Sequence, residues 1–247
     1  NWLFFQPSVF MKLTDFILKN KLQLPLFIKY VEFTGETLNS LAVDYVNQYY
    51  KCSYSNMYGT TETGTIGYMC PCGNMHVLND NVYLEVIQEQ QYCSTETGKA
   101  IVTSLNNNIF PLIRYDIGDI ITVDYCNNCG CGLRGQIIKE IIGRKNKCVT
   151  LDGGKIISES TVVSIFDRVN TLTDNKVKEY KAIINNELST IDLIMYIDSK
   201  YKFWEKEILN NLKKVISTRF NFVYKAKFMY EPLSVNSNGK FSVVEVI

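Results

Sequence analysis

The stretch that decides the fold runs from Phe27 to Met57 and reads FIKYVEFTGETLNSLAVDYVNQYYKCSYSNM. Its middle, residues 36–50, places apolar side chains on one face of a helix, namely Leu38, Leu41, Ala42, Tyr45, Val46 and Tyr49. The shorter segments on either side, Phe27–Phe33 and Cys52–Met57, are typical of strands. The stretch therefore predicts a β-α-β unit.

Strands rather than helices are predicted immediately beyond this unit. Three runs are rich in residues that favour strands and are separated by turn residues: His76–Gln88, Gly98–Leu105 and Asp119–Tyr125. The first part of the chain is therefore predicted to be an α/β unit dominated by a sheet.

The pattern changes after Gly143, where shorter elements of both kinds alternate. The Asp152-Gly153 pair predicts a hairpin over residues 147–157, because both central positions of such a turn need positive φ. A helix is predicted over Ser158–Val169, with Ser158 or Ser160 as its N-cap, and a second helix over residues 203–218. Strands are predicted over Val177–Asn185 and Thr190–Ile197, joined by a turn at Asn185-Asn186, and over Phe222–Tyr230. We therefore predict two domains, residues 1–145 and an α+β unit of residues 146–247.

The bulk composition excludes some functions. Among 247 residues, Lys+Arg 26 against Asp+Glu 25 leaves a net charge of +1, without the basic excess expected of a nucleic-acid binder. There is no apolar run long enough to span a membrane, and the start of the chain lacks the layout of a signal peptide. We expect a cytoplasmic protein that binds neither membranes nor nucleic acid.

Cysteine placement suggests a metal site. Of the 8 cysteines, five fall in two clusters, Cys70/Cys72 and Cys126/Cys129/Cys131, and the single histidine, His76, follows the first cluster closely. Cysteines so close together are poor disulfide partners for each other but natural metal ligands. Structural zinc, with four tetrahedral ligands, is the favoured interpretation. An iron–sulfur or redox role and the absence of any metal are the alternatives, and Cys52, Cys93 and Cys148 are predicted to be ordinary buried thiols.

Four polar segments could carry chemistry: Asn56–Thr65, Arg114–Asp119, Gly143–Asn146 and Asn238–Lys240. The first offers hydroxyls and backbone N–H groups to an anion, and its Glu62 could hold a divalent cation. The second places two carboxylates, Asp116 and Asp119, around a glycine turn, where a carboxylate could accept hydrogen bonds from a ribose diol. Each segment alone is equally typical of a solvated turn.

The order of these segments resembles the adenylate-forming superfamily. The matching motifs are Tyr58–Glu62, Tyr115–Asp119, Gly143-Arg144 and Asn238–Lys240. Phe33–Leu38, Phe110–Tyr115 and Cys129–Gly132 are similar to the phenylacetate–CoA ligase group and its capsule-biosynthesis relatives. The resemblance covers essentially the whole chain. It implies the C-terminal portion of a large adenylation domain, β-rich and zinc-stapled, followed by a small, mobile, ferredoxin-like α+β domain.

The resemblance implies a nucleotide site for ATP and AMP made of Gly35, Glu36, Tyr58, Gly59, Thr60, Asp119 and Arg144. Gly35 and Glu36 would lie along the adenine. Asp119 would bind the ribose hydroxyls, assisted by Arg144.

The resemblance implies catalytic roles for Thr61, Glu62 and Lys240. Thr61 would contact the ATP phosphates, Glu62 would hold Mg²⁺, and Lys240 would bridge the carboxylate and the α-phosphate. Attack of a carboxylate on phosphorus brings two anions together, so cations are needed to offset their charge. Asn146 would lie at the hinge of the small domain, whose rotation would withdraw Lys240 and admit a thiol.

The family pattern also selects four zinc ligands, Cys70, His76, Cys129 and Cys131, with Cys72 or Cys126 as possible substitutes. Such a closed Cys₃His site would be structural and would pin two loops beside the sheet.

Three functions are compatible with these features. The first is activation of a small carboxylic acid, aromatic or similar, by ATP and its transfer to the thiol of coenzyme A or of a phosphopantetheine carrier protein. The second transfers the acyl group to an amine or hydroxyl, and the third is a non-catalytic module that binds nucleotide or a partner. No segment before residue 56 resembles the superfamily's phosphate loop. We therefore expect a missing N-terminal half, a companion chain or a homo-oligomer to cover an exposed apolar face.

Overall fold

The computed structural model describes residues 1–25, 27–92, 95–125, 129–150, 156–185, 190–220, 222–233 and 242–247. The chain divides into two compact units, Asn1–Lys145 and Asn146–Ile247. Each unit has hydrophobic core clusters of its own.

A mixed sheet forms the first unit. Its strands are β1 (Trp2–Phe5), β2 (Tyr30–Thr34), β3 (Ser53–Thr60), β4 (Gly64–Met69), β5 (Met75–Val77), β6 (Val82–Tyr92), β7 (Thr95–Ser104), β8 (Tyr115–Asp124) and β9 (Ile137–Arg144). Over the described residues it has 9 strands in the order β1-β2-β3-β4-β5-β9-β8-β7-β6. The β1–β2 and β2–β3 pairs are parallel, and the other pairs are antiparallel.

Two helices cover one face of the parallel strands. Helix α1 spans Pro7–Lys19, and helix α2 spans Ser40–Tyr45 and continues as a π-helical turn over Val46–Tyr50. The predicted β-α-β unit is present, but its helix begins at Ser40 because Asn39 caps it, accepting from the backbone N–H of Ala42 at 2.9 Å. Helix α1 is not among the elements predicted above, and it packs Phe10 edge-to-face on Phe33 of β2 with ring centroids 5.3 Å apart.

The opposite face of β1 is apolar and open. Side chains alternate along a strand, so Leu3 and Phe5 pack towards the helices, whereas Trp2 and Phe4 point the other way. Trp2 is 60% exposed and Phe4 is 48% exposed. These two side chains form a small exposed apolar pair on the edge strand of the sheet.

The second unit contains a short hairpin, two helices and a small sheet. Its elements are β10 (Val149–Thr150), β11 (Ile156–Ile157), α3 (Glu159–Leu172), β12 (Val177–Asn185), β13 (Thr190–Ile197), α4 (Glu205–Val215), β14 (Lys225–Met229) and β15 (Val244–Val246). Of the two candidate caps for α3, the structure selects Ser158, whose Oγ accepts from the backbone N–H of Thr161 at 3.3 Å. The turns predicted at residues 152–154 and at Asn186 lie outside the described residues.

The four-stranded sheet of this unit has the order β14-β13-β12-β15. The chain order β11-α3-β12-β13-α4-β14 is the β-α-β-β-α-β order of a ferredoxin-like unit. However, β11 pairs with β10 rather than with this sheet, and β15 takes an edge position beside β12. The ferredoxin-like description therefore stays a prediction. Across both units, the described helices are too short or too polar to cross a membrane.

Candidate functional site

A buried carboxylate, Asp119, is the centre of the first candidate site. Asp119 on β8 lies directly opposite Arg144 on β9, so their side chains emerge on the same face of the sheet. Arg144 Nε lies 3.1 Å from Asp119 Oδ1, and the Tyr58 hydroxyl of β3 donates to Oδ2 at 2.7 Å. Asp119 is only 7% exposed, so both of its oxygens are fixed by charged or buried partners.

Arg144 is itself held in place. Its Nη1 donates to the backbone carbonyl of Ile117 at 2.6 Å. The neighbouring Gly118 has a φ of 79°, and a Cβ there would approach Arg144 Nη1 to 3.4 Å. Asp116, the second candidate carboxylate, is exposed and accepts from the backbone N–H of Gly118 at 2.8 Å. The two acids therefore differ: Asp116 shapes the irregular start of β8 around Gly118, whereas Asp119 belongs to the buried cluster.

Tyr58 is a permanent hydrogen-bond donor in this cluster. Burial, followed by the negative charge of Asp119 and the hydrogen bond to it, raises the pKa of Tyr58 far above its ordinary value. The hydroxyl therefore keeps its proton at any physiological pH.

The β3–β4 turn carries the predicted phosphate and cation residues. The Thr60 hydroxyl lies 2.9 Å from that of Thr63 and accepts from the Thr63 backbone N–H at 3.1 Å, which leaves Thr61 and Glu62 exposed at the tip. A hydrogen bond from its own backbone N–H, and then the Thr60 hydroxyl, lowers the pKa of Glu62. The turn therefore presents an ionised carboxylate to solvent.

The close approach of the two strands explains Gly59 in this turn. A Cβ at Gly59 would lie 2.4 Å from the backbone carbonyl oxygen of Gly64, a distance that no side chain tolerates. Gly59 therefore keeps the hairpin tight below the exposed tip.

Glu36 is engaged elsewhere in the fold. Its carboxylate accepts from the Ser8 backbone N–H at 3.0 Å and from the Ser8 hydroxyl at 2.8 Å. Because Gln6 makes no side-chain cap, Glu36 supplies the acceptor at the start of α1 instead. The sequence analysis missed this role, since the partners are 28 positions apart.

The second candidate site is a cluster of cysteine and histidine side chains that could hold a metal ion. The structure brings together Cys70, His76, Cys129 and Cys131, whose ligand atoms all lie within 4.8 Å of one another. Cys70 ends the β4 side of the β4–β5 turn, His76 is on β5, and the other two cysteines are in the β8–β9 connection. These are the four ligands that the family pattern selects.

The donor atoms fit a tetrahedral zinc ion. Zn–S bonds of about 2.3 Å and Zn–N bonds of about 2.1 Å give tetrahedron edges of about 3.8 Å between sulfurs and about 3.6 Å between sulfur and nitrogen. Cys70 Sγ lies 3.6 Å from Cys129 Sγ, and Cys131 Sγ lies 3.4 Å from His76 Nε2. His76 is buried with Nε2 towards the sulfurs, and its Nδ1 has no hydrogen-bond partner among the described residues.

Hydrogen bonds prepare one sulfur as a thiolate. The backbone N–H of Cys131, then His76 and then Asn74 lower the pKa of Cys129 to about 5, and Asn74 Nδ2 lies 3.3 Å from that sulfur. Cys131 receives a hydrogen bond from the backbone N–H of Leu133, yet burial and the sulfur of Cys129 raise its pKa to about 11. Metal ligation requires thiolates, so a bound cation would displace the remaining protons.

Lys240, with its neighbours Asn238 and Gly239, lies outside the described residues, as does Cys126. Asn146 begins the second unit within the 3₁₀ turn Lys145–Lys147.

Comparisons with known proteins give the class of fold. No family model matches the chain, and no curated protein is similar enough in sequence to match it. A 2-hydroxyisobutyryl-CoA ligase in complex with R3-HIB-AMP matches with a TM-score of 0.80 at 17% identity, over 100% of this chain and 54% of that one. An anthranilate CoA ligase in complex with anthranoyl-AMP matches with a TM-score of 0.69 at 13% identity, over 96% of this chain and 48% of that one.

The adenylation domain of a carboxylate reductase from Mycobacterium chelonae also matches, with a TM-score of 0.65 at 11% identity over 96% of this chain and 42% of that one. All three proteins are acyl-CoA ligases or adenylation domains. The chain therefore has the fold of part of an adenylate-forming ligase. It spans about half the length of the structures that it matches.

Proposed function

We propose that this chain belongs to an ATP-dependent ligase of the phenylacetate–CoA ligase type, which forms an acyl-adenylate and passes the acyl group to a thiol of coenzyme A or a carrier protein. The observation that carries the proposal is the buried Asp119 carboxylate, fixed by Tyr58 and Arg144 in a fold whose solved examples hold acyl-AMP adducts. Its substrate is a small carboxylic acid.

Asp119 suits a ribose diol. An ionised carboxylate has about four acceptor positions, and Tyr58 and Arg144 use one on each oxygen. A second acceptor position on each oxygen is left for the two ribose hydroxyls. Tyr58 and Arg144 then keep the carboxylate in one orientation, which lowers the entropy cost of binding.

The Gly35–Glu36 turn would line the adenine through its backbone. The Glu36 carboxylate is already occupied by Ser8, so its side chain is not free to hydrogen-bond a base. Gly35, with a φ of 77°, shapes this turn.

The β3–β4 turn would receive the phosphates. The Thr61 hydroxyl would donate to phosphate oxygens, while the Thr60 hydroxyl, bonded to Thr63, would hold the tip of the turn in place. The ionised, exposed Glu62 would hold Mg²⁺. When bound, Mg²⁺ neutralises charge that moves to pyrophosphate. Lys240 would orient the acid against the α-phosphate.

The Cys₃His cluster would hold structural zinc. Its four donors leave no open position for water, which favours a structural over a catalytic role. The ion would join the β4–β5 turn to the β8–β9 connection.

The test is ATP–pyrophosphate exchange by the purified, zinc-loaded chain with a panel of aromatic and aliphatic acids. We expect exchange that depends on one acid and that falls about 10-fold or more in Asp119→Asn, because a hydrogen bond to a charged group is worth about 1.5–3 kcal/mol. Asp116→Asn, at an exposed position of β8, is the matched control and should retain exchange. A folded chain that neither binds ATP nor exchanges pyrophosphate would contradict the proposal.

The alternative function is a non-catalytic module that binds nucleotide or a partner. ATP binding that depends on Asp119, without exchange for any acid, would support it. Where exchange occurs, the chemical group that finally accepts the acyl chain distinguishes the two enzymatic functions. Transfer to a thiol indicates the first function, and transfer to an amine or hydroxyl indicates the second.

A further inference from the structure

A partly buried carboxylate lies on the face of the sheet that α1 and α2 leave uncovered. Side chains alternate along β2, so Val31 and Phe33 pack towards the helices, whereas Tyr30 and Glu32 point to the other face. Phe4 of β1 is directly opposite Glu32 and shares that face. None of the ion pairs among the described residues includes Glu32. Its negative charge therefore has no cationic partner within the described part of the chain.

Two phenol rings lie beside this carboxylate. The Tyr30 hydroxyl of β2 is 2.6 Å from the Tyr68 hydroxyl of β4, so the two side chains meet across β3. Beneath them Ser55 of β3 is directly opposite Glu32, and its hydroxyl donates to the carbonyl of Met69 at 2.9 Å. Burial, then the hydrogen bond with Tyr30 and then the negative charge of Glu32 raise the pKa of Tyr68. Glu32 is therefore close to the phenol pair, and the Tyr68 hydroxyl stays neutral.

This combination of groups suits an ammonium ion. Aromatic faces attract cations, and a carboxylate beside them supplies the opposite charge and strong hydrogen-bond acceptors. An anionic ligand would be repelled by Glu32, and a neutral one would leave its charge without a partner. A divalent metal ion requires more oxygen ligands than one carboxylate and two phenols provide. The charge and the rings together therefore select an organic cation.

The position of Glu32 connects this face with the proposed nucleotide site. Glu32 precedes Thr34, the last residue of β2, by about 7 Å at about 3.3 Å per residue, and the Gly35–Glu36 turn follows directly. On the opposite face Val31 and Phe33 are fully buried against the helices. An acyl group that extends from this turn along β2 would therefore lie on the face that carries Glu32.

We propose that Glu32 binds a protonated amino group of the substrate, with the rings of Tyr30 and Tyr68 beside it, so that the acid activated by this site is an amino-bearing carboxylic acid. The inference rests on the proposed function for the activation of the acid, and on the residues of this face alone for the binding of ammonium. Aliphatic amines keep their proton at neutral pH and therefore carry the charge that Glu32 requires.

The test is ATP–pyrophosphate exchange by the purified chain with pairs of acids in which a methyl group replaces the ammonium group. The pairs are δ-aminovalerate with hexanoate, and para-(aminomethyl)benzoate with para-ethylbenzoate. We expect the ammonium-bearing acid of a pair to have a kcat/KM about 10-fold or more above that of its partner, and Glu32→Gln to remove this preference. Glu140→Gln, at an exposed carboxylate of β9 in the same sheet, is the matched control and should keep the preference.

Binding of benzylammonium, measured by saturation-transfer NMR with benzyl alcohol as the neutral control, requires no catalysis. Benzylammonium binding that Glu32→Gln weakens, in a chain that exchanges pyrophosphate with no acid, would support the ammonium site and contradict the proposed function. Exchange that is equal or faster with the methyl-bearing acids, or a preference that persists in Glu32→Gln, would overturn the inference and leave the proposed function intact. Absence of both benzylammonium binding and exchange would overturn both.

Discussion

Replacing Tyr58 by Phe tests the buried cluster without reference to any ligand. The ring stays in the core of the first unit, and only the hydroxyl that donates to Asp119 at 2.7 Å is removed. Asp119 Oδ2 then lies buried without its donor, a loss that costs about 1–3 kcal/mol for a charged acceptor. We therefore expect Tyr58→Phe to lower the free energy of unfolding by that amount near pH 7, measured by urea denaturation.

The same substitution predicts a change with pH whose sign is fixed by the raised pKa of Tyr58. In the unfolded chain the hydroxyl ionises near its ordinary value of 10.0, whereas in the folded chain it stays protonated to much higher pH. The contribution of Tyr58 is therefore complete below pH 10.0 and is lost above it. The stability difference between wild type and variant should shrink by about 1.4 kcal/mol per pH unit there.

Urea denaturation between about pH 8 and about pH 11 measures this difference. Tyr83→Phe is the control, because Tyr83 is 59% exposed and its removal should change stability little at any of these pH values. A Tyr58→Phe variant as stable as the wild type at neutral pH would refute the reasoning. A stability difference that stays constant above pH 10.0 would refute it as well.

Two further predictions concern the metal and the open face of β1. Since 1 kcal/mol shifts the melting temperature of a protein of this size by about 2–4 °C, His76→Ala should lower it by about 5 °C or more. EDTA should lower the melting temperature of the wild type by a similar amount and leave that of His76→Ala unchanged. Equal melting temperatures for the wild type, the EDTA-treated wild type and the variant would contradict a structural metal. Light scattering should detect concentration-dependent association that Trp2→Ser with Phe4→Ser abolishes, and a strictly monomeric wild type would count against it.

Local patterns in the sequence predicted several of the regular elements, but not β1, α1, β4, β9 or β15, and the predicted run His76–Gln88 is divided between β5 and β6. The apolar stripe that predicts helix 36–50 is buried in the structure at Leu41, Ala42, Tyr45 and Val46. The strands of the second unit have the same basis, because buried and partly buried positions alternate from Tyr180 to Asn185 in β12. In both cases the period of the pattern is set within the element itself.

The partners within each site could not be predicted in the same way. The bond from Tyr58 to Asp119 joins residues 61 positions apart, and it depends on the register of the strands that carry them. Helix α1 has a local sequence signal, with Pro7 in its first turn and Phe10, Met11 and Thr14 on its buried face. However, the side chain that accepts a hydrogen bond from the first turn of α1, Glu36, comes from outside the helix. Spacing indicated two cysteine clusters, whereas the choice among six candidate ligands needs the tertiary placement of both loops.

The two sites are linked through one hairpin. Strand β8 carries Asp119 and ends at Asp124, about 17 Å from Asp119 at about 3.4 Å per residue. The connection from Asp124 to Ile137 carries Cys129 and Cys131. The β8–β9 ladder has register shifts at Ile120/Ile121 and at Thr122/Val123, so the pairing of Asp119 with Arg144 is not imposed by a regular ladder.

A metal that joins this connection to Cys70 and to His76, which pairs with Ile137, would fix the position of β9 from its first residue. A slip of one residue along β9 would turn Arg144 to the other face of the sheet and leave Asp119 without its cation. The metal would therefore hold the register of the proposed nucleotide site without contacting it. This gives a physical reason for a structural ion so far along the strand from the proposed chemistry.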